Sequence, residues 1–138
     1  MERLTKNDVL AVANTISMQL RTLTPTNVLM SWGISKVFAT QIAVGINGED
    51  VYMAALALQV QGFCYKGLVL VAYDEASDYY RIYTRSEVGE LVEKHSDVCF
   101  DQMGDLLDRL IEKGTLSDEE YFSRISEEYK VCANYEQL

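Results

Sequence analysis

Cys99 is the one nucleophile with a base nearby in the chain: His95 lies four residues before it and Asp101 two after it. A thiol just ahead of a helix can have its pKa lowered by the helix dipole, and a carboxylate can hold an imidazole in place as its base. The same residues have a plainer explanation. Cys99 is flanked by Val98 and Phe100, as a buried cysteine would be, and Asp101 is accounted for as the N-cap of the helix that follows. The residue types therefore favour a protein that is not an enzyme, with a small thiol-dependent enzyme using Cys99 and His95 as the alternative.

Other motifs carry less chemistry. Gly62-Phe63-Cys64-Tyr65-Lys66-Gly67 has the glycine spacing of a phosphate loop, but Leu68 and Val69 follow where Lys and Ser/Thr are needed, so a hairpin connection is expected. Ser31 sits in Met-Ser-Trp-Gly, which is not a nucleophile elbow. Trp32 is expected in the core. Closed zinc coordination would need all three cysteines, Cys64, Cys99 and Cys132, together with His95, drawn from widely spaced parts of the chain, so neither a metal nor a cofactor is expected. Asp101, Asp105, Asp108 and Glu112 fall within about 60° of one another on a helix but form a ridge about 16 Å long, which is a solvated face rather than a cation site.

The best candidate binding surface is Tyr79, Arg81, Tyr83 and Arg85, which strand alternation puts on one sheet face. Tyrosine and arginine dominate protein-contact hot spots, and the same pair can stack on single-stranded nucleic acid. Twelve Lys/Arg against 21 Asp/Glu make nucleic acid the weaker partner. The net charge of −9 is lopsided: residues 1–85 hold seven basic and seven acidic side chains, whereas residues 86–138 hold five and fourteen.

These residues have to be positioned by recognisable elements. Val9, Val12, Ala13, Ile16, Leu20 and Leu23 form one face of a helix from Thr5 to Leu23, capped by Thr5 and stopped by Thr24-Pro25. Residues 28–42 are apolar at both helical and strand periods. They are read as two short helical pieces broken at Gly33, the second capped by Ser35 with Ile34, Val37, Phe38 and Ile42 inward. Three strands follow: one through Leu56, Leu58 and Val60, one at Leu68 to Tyr73, and one at Tyr79 to Arg85. Met103, Leu106, Leu107, Leu110 and Ile111 then predict a helix ended by Gly114, and Ser117 with Glu120 caps a second through Tyr121, Ile125, Tyr129 and Cys132.

The expected fold is a single α+β domain over residues 1–138. It comprises a three-stranded antiparallel meander packed against an N-terminal helix and a C-terminal antiparallel helical hairpin. At 138 residues and 49% hydrophobic composition the chain can bury a core without disulfides. An odd cysteine count, a polar N-terminus and no apolar run long enough to span a bilayer predict a cytoplasmic protein without membrane contact.

Through Asn27-Val28-Leu29-Met30-Ser31-Trp32-Gly33, Phe38-Ala39-Thr40 and Val98-Cys99-Phe100-Asp101, the chain resembles a group of small proteins of gut-associated bacteria and their phages or mobile elements. That group has no assigned activity, so the resemblance implies a bacterial or phage accessory role and no site residues. The expectation is an interaction module whose partner is a protein or a second copy of itself, a dimer covering the open face of the sheet.

Overall fold

The computed structural model describes residues 3–86 and 88–113. The chain opens with helix α1, Lys6–Leu23, whose Val9, Ala13, Ile16 and Leu20 are buried at four- and three-residue steps. The Thr5 hydroxyl accepts the Asp8 N–H at 3.2 Å, and Thr24 takes an extended conformation before Pro25. Helix α2, Thr26–Ser31, is a short turn that delivers Trp32 into the core, where the indole is fully buried.

Five strands follow in simple meander order: β1 Lys36–Ile46, β2 Glu49–Gln61, β3 Lys66–Asp74, β4 Tyr79–Arg85 and β5 Leu91–Val98. All neighbours are antiparallel. The β1–β2 turn is Asn47-Gly48, with φ of 52° and 81°. Positive φ at both central residues defines the hairpin turn whose twist matches the strands it joins. Helix α3, Met103–Asp108, continues as a π-helical turn, Arg109–Lys113.

The sheet has two apolar faces. Leu56, Leu58, Val60, Val69, Val71, Tyr80 and Ile82 pack with Ile16, Leu20, Trp32, Met103, Leu107 and Ile111 from the helices. On the opposite face, Ile42, Met53, Ala55, Ala57, Leu70, Ala72 and Tyr83 form a second buried cluster. Because β2 is buried on both sides from Met53 to Leu58, its sequence loses the alternation of a half-exposed strand. The β1–β2 hairpin also extends past the last β2–β3 pair, Ala55 with Ala72. Its overhanging Ile42 and Met53 join Tyr83 of β4 in the second cluster, so the sheet coils over its own concave face.

The expected three-stranded meander is thus corrected to five strands. The second helical piece, expected to be capped by Ser35 and to run through Ile42, forms the start of β1 from Lys36 instead: β-branched and aromatic residues suit a strand, and the Asn-Gly turn returns it antiparallel to β2. Leu91–Val98 is a further strand whose charged sequence hides it. Of the expected C-terminal hairpin, the described residues hold one short helix and its π-helical turn, Met103–Lys113, rather than two packed helices. The second helix expected from Ser117 lies outside the described residues.

Candidate functional site: the β4 network and the two sheet edges

The four residues of the predicted binding face do share one side of β4, but they do different work. Tyr79 and Arg85 are exposed. Tyr83 is only 2% exposed, and its hydroxyl donates to Glu93 Oε1 at 3.2 Å. Arg81 lies between two carboxylates, its Nε 3.0 Å from Asp74 Oδ2 and its Nη1 2.8 Å from Glu93 Oε1. β3, β4 and β5 are tied together by this network, since each supplies one or more of its members.

The electrostatics follow from that geometry. Burial of Arg81 favours loss of its charge, but the hydrogen bonds to Glu93 and Asp74 outweigh burial and hold its pKa above the usual guanidinium value. Burial, then the Glu93 charge, pushes the Tyr83 phenol up to about 12. Beside the network, Arg81, Tyr83, Leu91 and Glu93 face Ala43–Ile46 of β1 across a cleft of about 300 Å³. Since both carboxylates already hold the guanidinium, the cleft offers no uncompensated cation to an anionic ligand.

The thiol candidates are not assembled. His95 pairs with Ile82 in the sheet, and Cys99 follows β5 in a turn where its N–H donates to Gln102 Oε1. Among the described residues no hydrogen bond joins the Cys99 and His95 side chains. Gln102 stands at the N-cap position of α3, without a side-chain cap, in place of the expected Asp101.

Of the glycine-flanked segment Gly62–Gly67, residues 62–65 are the β2–β3 connection and Lys66 and Gly67 open β3, and the connection's N–H groups are engaged within the fold. Cys64 and Tyr65 both donate to Ile111 O, at 2.8 and 3.1 Å, and Phe63 donates to Glu112 Oε2 at 2.7 Å. The loop therefore caps the π-helical turn rather than cradling phosphate. Gly62 is required there, because a Cβ would lie 2.3 Å from Ile111 O.

The acidic ridge is likewise divided. Asp108 accepts the Trp32 indole N–H at 3.0 Å, and Asp108 and Glu112 are both buried. Asp105 pairs with Arg109 on the same helix, which leaves Asp101 and Asp105 as the exposed members. Among the described residues, no three His, Cys, Asp or Glu side chains are grouped to hold a metal ion.

Sequence reasoning missed the contrast between the sheet's edges. β1 forms one edge among the described residues and contains a single charge, Lys36, and no proline in eleven residues. Val37 and Phe38 are exposed on it, at 51% and 39%. The other edge, β5, carries Glu93, Lys94 and Asp97, pairs with β4 through two register irregularities, and holds Asp97 at a φ of 52°. Charges and bulges are how sheets blunt an edge against further pairing, and β5 has both. The Asn47-Gly48 dipeptide is the signal that would have revealed β1.

No family model matches the chain, and no curated protein or solved structure matches it. Among the described residues, no helix is long and apolar enough to cross a membrane.

Proposed function

We propose that the chain is a small accessory protein that acts as a non-enzymatic interaction module, with the edge of β1, left unpaired among the described residues, as its contact element. The observation that carries this reading is the contrast between the edges: β5 is bulged and charged, whereas β1 presents a long, nearly uncharged run of strand-forming residues. An extended segment from a partner gains main-chain hydrogen bonds along such an edge and side-chain contacts on both faces. Three carboxylates are engaged in structural contacts, Asp74 and Glu93 with Arg81 and Asp108 with Trp32.

The reading moves the contact away from the centre of the Tyr79, Arg81, Tyr83, Arg85 face. Tyr83 and Arg81 support the cleft, and Tyr79 and Arg85 flank it as exposed residues. The expected dimer that covers an open sheet face loses its motive, since the second face is already a buried cluster. The edge remains.

A neutral extended peptide of alternating valine and threonine, with lysine at each end for solubility, tests this. It should slow amide hydrogen exchange along Lys36–Ile46 and leave Leu91–Val98 unchanged. Equal effects at both edges, or none at β1, would overturn the proposal.

A further inference from the structure

We infer that the strand taken up by the β1 edge is β1 of a second copy of this chain, antiparallel about a two-fold axis, giving a closed dimer with one continuous sheet of ten strands. The inference rests on the reading of β1 as the contact element and adds the identity of its occupant.

Three features of the strand select a copy of itself. First, β1 is a neutral ladder with one charge at its N-terminal end. In a full-length antiparallel pair the two Lys36 residues lie at opposite ends of the interface, roughly 30 Å apart, each beside the uncharged Ala43–Ile46 half of the other strand. No like charges are opposed. A charged strand from another protein would instead set its side chains beside Phe38, Ile42 and Val44, with no opposite charge on β1 to meet them.

Second, the exposed apolar side chains stand where a two-fold partner covers them. Val37 and Phe38 are successive residues and therefore point to opposite faces of the sheet. In the full-length antiparallel pair Phe38 stands opposite Val44 on the concave side, while Val37 stands opposite Gly45 on the helix side, where the diagonal neighbour Ala43 reaches it.

Third, the edges close the assembly. Head-to-tail pairing of β1 with β5 would repeat without end, but the bulges, charges and left-handed Asp97 of β5 disfavour a further strand there. Among the described residues only β1 is left to pair, and two copies using the same edge leave none of these edges for a third.

Sedimentation of the full chain, with the Val37→Lys/Phe38→Lys double variant alongside, tests this. The unsubstituted chain should sediment as a dimer at high micromolar concentration and dissociate on dilution. The double variant should remain folded by circular dichroism and dimerise at least about a hundredfold more weakly, because pairing would press each added ammonium group, unpaired, against the uncharged Ala43–Ile46 half of the partner strand. A Val37→Thr/Phe38→Thr variant, which keeps strand propensity without charge, should retain most of the association. A monomer at every concentration would overturn the dimer, while the alternating peptide would still bind β1 if the edge reading is right. A dimer indifferent to the lysine pair, or an open series of larger species, would also overturn it. Slow exchange of every β1 amide in a dilute monomer would show the edge covered within the chain and would overturn both readings.

Discussion

The indole N–H of Trp32 donates to the Asp108 carboxylate at 3.0 Å, across 76 residues of sequence, and joins the end of α2 to the end of α3. Both residues are buried, Trp32 completely. Asp108→Ala leaves that N–H without its acceptor in the core and should cost about 1–3 kcal/mol of stability, whereas Asp108→Asn, which keeps an acceptor, should cost clearly less. Because the chain has one tryptophan, urea unfolding followed by its fluorescence reads this contact directly.

Gly62 offers a second test of how the C-terminal elements are held. The β2–β3 connection approaches Ile111 so closely that a methyl group at residue 62 would meet the Ile111 carbonyl. Gly62→Ala should destabilise by about 1–3 kcal/mol through overpacking against backbone that cannot move aside cheaply. Gly45, with open space around it, is the control: Gly45→Ala should leave the unfolding midpoint nearly unchanged.

The tyrosines give a pH signature. Tyr83 is pushed up to about 12 by burial and by Glu93, and Tyr73 to about 12 by its hydrogen bond to Asp78. Both phenols are therefore held neutral in the fold more strongly than in the unfolded chain, where they titrate near 10. Their contribution is fully present below pH 10 and is lost as the pH rises toward 12. An ultraviolet titration of tyrosinate should show Tyr73 and Tyr83 among the late-ionising phenols, joined by Tyr80, which burial also pushes up. Glu93→Gln should bring Tyr83 earlier, since the carboxylate's charge is gone, and leave Tyr73 in place.

The parts of this fold that were legible are those where local chemistry speaks with one voice. Thr5, the apolar stripe of α1 and Pro25 define the first helix, and Tyr79–Arg85 matches β4 residue for residue. β1 was hidden because its apolar residues satisfy helical and strand periods equally, and only the Asn47-Gly48 turn breaks the tie. β5 was hidden because an edge strand protected by charge resembles a loop. The candidate site was legible as a set of residues on one face, but not in its exposure. Whether Arg81 and Tyr83 meet solvent depends on Asp74 and Glu93 from neighbouring strands, and on the coiling of the β1–β2 hairpin over the concave face.

Among the described residues β1 offers an unpaired edge for another strand. In an antiparallel edge strand, alternate N–H groups bond to the neighbouring strand and the others face outward. Residue-resolved amide exchange along Lys36–Ile46 reads that alternation directly. In dilute protein, protected and unprotected amides should alternate. At high protein concentration both sets should be protected, with Leu91–Val98 unchanged. Alternation that persists at every concentration and with added extended peptide, or uniform protection already present in the dilute monomer, would contradict an edge open to another strand.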